Sequence, residues 1–136
     1  MVPAMTPPAA APDFLARAGW GGADIVPLAG DASFRRYFRV IAPDARAVLM
    51  DAPPPHEDPR PFIQVAEHLI GLGFAAPRIM AKDLAAGLVL LEDFGDARMR
   101  EVVDAAPESE ARIYADAVDL LARLHTHPAA AVPAYD

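Results

Sequence analysis

Residues 34–40, FRRYFRV, constrain the fold more than any other stretch of this chain. Aromatic and branched residues in that density favour an extended strand. In a strand, alternate side chains point to opposite faces. Phe34, Arg36, Phe38 and Val40 then share one face, and Arg35, Tyr37 and Arg39 share the other. A guanidinium among three apolar residues is costly to bury unless an anion meets it. Two solutions are open to Arg36. Either it reaches the sheet edge or a carboxylate of the protein, or it faces a cleft and grips phosphate oxygens as a bidentate donor. Arg35 and Arg39 are expected on the solvated side.

The flanks of this strand extend the pattern. APDAR (42–46) reads as a tight turn and AVLM (47–50) as a second strand, so 34–50 is predicted to be an antiparallel hairpin. Gly30, Asp31, Ala32 and Ser33 form a turn of small residues just before it. Such a turn lets backbone N–H groups approach a phosphate, with the Ser33 hydroxyl as a further donor, although many turns of this kind only reverse the chain. It matches neither G-x-x-x-x-G-K-[ST] nor G-x-G-x-x-G. Upstream, Asp13 is the predicted N-cap of a short helix, DFLARAG, ended by Gly19, and the proline-dotted residues 1–12 are expected to be a disordered leader.

Five prolines in DAPPPHEDPRP (51–61) remove backbone donors, which predicts a loop. A helix follows from Pro61, with Phe62, Val65, Ala66 and Leu69 on one face and Gly71 and Gly73 closing it. Arg78 to Ala81 is predicted to be extended, and the apolar run LVLLED a buried strand. Asp96 is the expected cap of a short helix through Val103. A longer one follows Pro107, with Ile113, Ala117, Leu120, Leu121 and Leu124 as its buried stripe. A few antiparallel strands and one inserted helix cannot cover both faces of a sheet. The expected organisation is therefore the beginning of something larger, with Ile113, Val118 and Leu121 left partly exposed.

Composition narrows the function. At 54% hydrophobic residues the chain can build a core. Its net charge of −7 disfavours nucleic acid and anionic lipid as partners. No apolar run approaches the ~20 residues of a membrane span. Cysteine is absent, which excludes thiolate metal sites and fits a cytoplasmic setting. The four histidines are scattered, no metal cluster is expected, and His125 is expected to be a buried helix-end residue. LLEDFGD (90–96) is the second candidate for chemistry. Either it is a strand ending in a turn, or it crosses between two lobes and offers the Glu92 carbonyl and Phe94 N–H to a flat heterocycle.

Four ordered pieces carry a family resemblance: LARAGW (15–20); LAGDASFRRYFRV (28–40) with VLMDAPP (48–54); LGFAAPRIMAKD (72–83) with LVLLEDFGD (88–96); and LLARLH (120–125). Together they resemble the aminoglycoside-phosphotransferase-like kinases. Within that family the chain is most similar to the branch that phosphorylates the anomeric hydroxyl of N-acetylmuramate and N-acetylglucosamine in cell-wall recycling. The resemblance implies an α+β fold: a protein-kinase-like small lobe, made of an antiparallel sheet with one inserted helix, plus the first helices of a helical lobe. It implies an ATP-binding small lobe over 13–95 and a hinge exit with the start of a helical substrate lobe over 96–136.

The same resemblance maps Gly30, Asp31, Ala32 and Ser33 to the loop over the nucleotide phosphates, and Leu91, Glu92 and Phe94 to the contact with adenine. Glu67 becomes a possible partner of a phosphate-binding cation. Kinases of this fold usually carry a lysine on the third strand. The matching strand here reads VLMD, and the single lysine is Lys82, so Arg36 is the expected replacement. ATP and Mg²⁺ are the implied cofactors and a small sugar the acceptor. The catalytic H-G-D-x-x-x-x-N segment and the metal ligands do not occur here and are expected beyond Asp136, in a missing C-terminal lobe. The alternative is a non-catalytic kinase-like module that binds a nucleotide or a partner.

Overall fold

In the computed structural model, which describes residues 6–28, 34–95 and 103–128, FRRYFRV enters strand β2 (Arg36–Ile41) and turns back through residues 42–45 into β3 (Arg46–Asp51). The predicted hairpin is present, with Arg36 opposite Asp51 and Val40 opposite Ala47. β1 (Asp24–Pro27) pairs with the outer edge of β2, β5 (Leu88–Glu92) with β3, and β4 (Ile79–Asp83) with β5. The result is a five-stranded sheet of order β1-β2-β3-β5-β4, antiparallel throughout. With its helices it is an α+β fold.

The sheet covers both of its faces, contrary to the expectation from the strand count. Helix α1 (Ala11–Arg17) places Phe14 and Leu15 against Phe38, Val40, Leu49, Leu88 and Leu90. Helix α2 (Arg60–Gly71) places Ile63 against Met50, Ala52, Val89 and Leu91 on the opposite face. A fully buried Leu or Phe in such a layer contributes about 1.5–3 kcal/mol. Each β5 residue from 88 to 91 is buried, as a strand between two helical layers requires.

Local signals placed the ends of these helices only approximately. α1 begins at Ala11, inside the expected leader, with Asp13 in its first turn and no side-chain cap. α2 begins after Pro59, also uncapped by a side chain at that position. The Asp58 carboxylate accepts from the Arg60 guanidinium at 2.8 Å and from its backbone N–H at 3.0 Å, and these bonds hold its pKa below the usual carboxylate range. The buried face of α2 is also turned relative to its expectation. Ile63 and Ala66 are buried, while Val65 is exposed.

The described residues fall into two compact units, one running to Asp93 and the other beginning at Phe94. The helix expected over 96–103 lies outside the described residues except at Val103. In the second unit a 3₁₀ turn (Pro107–Ser109) leads into α3 (Glu110–Leu124), none of whose residues is buried. The stripe expected to be buried is not. Leu120 and Leu121 are exposed, as are Tyr114 and Val118. An amphipathic helix buries its apolar face only where a second element packs on it.

One glycine is fixed by close approach. Gly87, at φ +70°, precedes β5, and its carbonyl accepts from the Ala52 N–H at 2.8 Å. A Cβ there would fall on the Ala52 carbonyl oxygen. Gly87→Ala is therefore expected to destabilise the fold by more than ~3 kcal/mol. Gly19→Ala, at φ +89° with open space around it, is expected to cost about 1 kcal/mol. Urea-unfolding midpoints of the two variants check the difference. The exposed stripe of α3 carries its own expectation. The 136-residue chain associates with itself as concentration rises, in sedimentation velocity, and Val118→Lys with Leu121→Lys reduces that association.

Candidate functional site

Strand alternation divides the three arginines of β2 and its approach between the two faces of the sheet. Arg36 lies on the α1 face. Its Nη2 and Nε donate to Asp51 Oδ2 at 2.6 and 3.0 Å, and its Nη1 donates to the Thr6 carbonyl at 3.0 Å. The guanidinium carbon stands 5.6 Å from the Phe38 ring centroid. Asp51 is buried, and Arg36 keeps part of its surface in solvent. A carboxylate of the protein thus meets the guanidinium, one of the two solutions open from the sequence.

Arg35 and Arg39 do not lie on a solvated face. Both accompany Tyr37 on the α2 side. Arg39 reaches across β3 to Asp93, with Nε to Oδ2 at 2.9 Å and Nη2 to Oδ1 at 3.3 Å, and the two side chains are only 13% and 8% exposed. Arg35 Nε donates to Glu57 Oε2 at 3.2 Å, and its guanidinium lies 6.0 Å from the Phe62 ring of α2. Burial disfavours the charged form of Arg35. The Tyr37 hydroxyl and the Glu57 carboxylate outweigh that and hold its pKa above the ordinary value. Phe34 stacks on His56, with centroids 4.7 Å apart, so two consecutive residues of the strand approach grip two consecutive residues of the proline loop.

The register then shows which expected site residues come together. Arg39, Val48 and Leu91 lie in one row across β2, β3 and β5, and Tyr37, Met50 and Val89 lie in the next. Both rows belong to the α2 face, where Met50, Val89 and Leu91 are buried. Arg36 stands in the row of Asp51 and Leu88, three residues along from Leu91 and on the opposite face. The structure does not bring Arg36 and Leu91 into one cleft. Glu92 is tied to the approach of β4: its N–H donates to the Arg78 carbonyl at 3.0 Å, and its Oε1 accepts from the Arg78 N–H at 3.3 Å. Phe94 is 59% exposed. Gly30, Asp31, Ala32 and Ser33 lie outside the described residues.

Glu67 is exposed on α2, and the carboxylate that meets Arg35 beside that helix is Glu57, which sequence reasoning passed over as part of a proline loop. Assigning Arg35 to the Tyr37 face was the available signal, because that face is covered by α2. His125 is exposed rather than buried, and its Nδ1–H donates to the Leu121 carbonyl at 2.8 Å. A shallow cleft of about 510 Å³ opens between α1 and β4, lined by Phe14, Arg17, Ala81, Lys82, Asp83 and Leu84. It lies on the α1 face, away from Leu91. Among the described residues no group of three or more His, Cys, Asp or Glu could hold a metal, and no helix is long and apolar enough to cross a membrane.

A small antiparallel sheet with a helix inserted between its third and fourth strands is the architecture the resemblance implied. The chain belongs to the phosphotransferase enzyme family, whose model matches residues 24–136. It is 43% identical over 129 residues to the N-acetylmuramate/N-acetylglucosamine kinase of Pseudomonas aeruginosa, covering 92% of this chain and 38% of that protein. The kinase of the same name from Pseudomonas putida is 36% identical over 121 residues, covering 86% and 35%. That of Caulobacter vibrioides is 32% identical over 150 residues, covering 90% and 41%. The chain thus spans about two fifths of the length of the curated relatives it matches.

The Arg39–Asp93 pair is the most buried of the ion pairs described here, and removing one partner takes two charge-assisted bonds from a buried charge. Arg39→Met is expected to cost about 3 kcal/mol in unfolding free energy. Arg39→Met combined with Asp93→Leu is expected to recover most of that loss. Arg17→Met, which breaks the exposed pair to Asp83, is expected to cost less than ~1 kcal/mol. Chemical denaturation of the four proteins, wild type included, measures all three differences.

Proposed function

We propose that this chain is the nucleotide-binding part of an ATP-dependent kinase that phosphorylates the anomeric hydroxyl of N-acetylmuramate or N-acetylglucosamine in the cytoplasm, in cell-wall recycling. The observation that carries the proposal is the match to the phosphotransferase family over 24–136, together with relatives up to 43% identical that bear that kinase name. The antiparallel sheet with α2 against its Leu91 face is compatible with it.

In this proposal the base of ATP lies against Leu91, Glu92 and Phe94, and Gly30, Asp31, Ala32 and Ser33 close over the phosphates. The sugar hydroxyl oxygen attacks the γ-phosphorus while the bond to the ADP bridging oxygen breaks, and the hydroxyl proton passes to a base expected beyond Asp136. Bound Mg²⁺ would supply charge neutralisation, and its ligands are likewise assigned beyond Asp136. Positioning and charge neutralisation supply nearly all the catalysis in such a transfer, so a sheet that holds the nucleotide still is a substantial share of the machinery.

The complete natural protein, given ATP, Mg²⁺ and N-acetylmuramate or N-acetylglucosamine, is expected to release ADP and a sugar 1-phosphate, read by phosphorus NMR. Binding of ATP without transfer to either sugar would overturn the kinase assignment and is the result a non-catalytic module would give.

A further inference from the structure

β5 carries Leu91 and then leaves the sheet, and two consecutive residues at that exit are held from opposite sides. Glu92 is tied towards β4: its N–H donates to the Arg78 carbonyl at 3.0 Å, and its Oε1 accepts from the Arg78 N–H at 3.3 Å. Asp93 is tied towards β2, where Arg39 donates through Nε to Oδ2 at 2.9 Å and through Nη2 to Oδ1 at 3.3 Å. The unit that holds the sheet runs to Asp93, and the next residues are the exposed Phe94 and Gly95 at φ +80°. The residue that Arg39 grips is therefore the one at which the chain departs.

Arg39 stands in one row with Val48 and Leu91, so its side chain crosses β3 to meet a carboxylate two residues past Leu91 on the same face. Two parallel bonds fix the direction of a carboxylate as well as its place, which a single bond does not. Both side chains are nearly closed to solvent, so water competes little for the pair. An apolar pair of similar volume would join the strands about as well, because desolvation offsets most of the attraction between buried charges. What the fork adds is orientation of the backbone at Asp93. Arg46 also turns to this face by register, but it is exposed, and an exposed side chain does not fix a backbone direction.

We propose that Arg39 and Asp93 are a positioning pair for base recognition: the fork holds the segment leaving β5 in the direction that presents its backbone to the edge of the purine. This deepens the assignment above, that the base of ATP is seated at Leu91, Glu92 and Phe94, and rests on it. Neither side chain of the pair touches the nucleotide. A backbone carbonyl and N–H read a heterocycle by direction, and a hydrogen bond weakens steeply as its angle closes. Without the fork the segment is held on the Arg78 flank alone. It keeps the residues that meet the base but no longer keeps their backbone groups in line with it.

The test is the ratio of ATP affinity to inorganic triphosphate affinity, which isolates the share of the nucleoside, measured by calorimetry on the complete natural protein and its variants. Arg39→Met combined with Asp93→Leu, the variant expected to regain most of the lost stability, is expected to lower that ratio about fivefold to tenfold, the loss of one or two aligned backbone hydrogen bonds, with triphosphate binding unchanged. Arg39→Lys keeps the charge without the fork and is expected to fall between wild type and the double variant. Leu15→Ala, which opens the core under α1, is expected to lower the urea-unfolding midpoint and leave the ratio at its wild-type value. A lowered ratio in the double variant beside an unchanged one in Leu15→Ala supports the proposal. A wild-type ratio in the double variant overturns it, as does a loss shared equally by ATP and triphosphate, or a ratio that falls in Leu15→Ala as well. If the double variant does not fold, Arg39→Lys decides by the same criterion. A wild-type protein that binds ATP no more tightly than triphosphate overturns the seating of the base itself, a result distinct from base recognition that ignores Arg39.

Discussion

Three guanidinium groups along one strand of a buried sheet and its approach must each find a carboxylate on their own face, and much of this fold follows from how they do so. Strand alternation sends Arg36 one way and Arg35 and Arg39 the other. Asp51 comes from the neighbouring strand, Asp93 from the exit of β5 and Glu57 from the proline loop. The central hairpin is thereby joined to β5 and to the loop before α2 by oriented, charge-assisted bonds as well as by apolar packing. Such pairs are weak sources of net stability, since desolvation offsets most of their attraction, but they penalise a wrong register severely. A one-residue slip of β2 would move every arginine away from its carboxylate and Phe38 out of the core.

The two faces have different work as a result. Helix α1 closes its face with Phe14 and Leu15, and the charge there is confined to the Arg36–Asp51 edge. The α2 face carries Leu91, the two remaining arginines and the apolar positions of β3. The cleft between α1 and β4 is shallow and lies on the α1 face, opposite to that of Leu91, and a cleft alone is a poor guide to chemistry. Orientation relative to β5 is the better guide, because the segment proposed to contact the base continues from that strand.

Membership of the phosphotransferase family and the absence of a β3 lysine make this face informative. A phosphate site depends on positive charge at a particular place and less on which strand bears it. On the α2 face β3 places Arg46, Val48 and Met50, and the approach to β2 adds Arg35, which a carboxylate holds. The proline-rich loop supplies that carboxylate. Its prolines restrict the backbone between β3 and α2, which limits the entropy lost in holding Glu57 against Arg35.

Much of the fold was legible in the chain itself because its signals are local. Period-two patterning at 34–50 marked the hairpin, five prolines marked the loop, apolar spacing after Pro61 marked α2, and the LVLLE run marked a strand buried on both sides. The boundaries of α1 and the rotation of α2 were misplaced because caps and faces depend on what packs against a helix. The alternation of arginines also followed from sequence, but the identity of their carboxylates did not. Asp93 lies 54 residues from Arg39 and Glu57 lies 22 from Arg35, and nothing local distinguishes them from other acids. Sequence by itself determined that a sheet strand would carry three charges on two faces. Only the tertiary structure decided which face α1 would close, which acid would meet each arginine, and therefore that Arg35 rather than Arg36 shares the face of Leu91, because those choices depend on contacts between segments far apart in the chain.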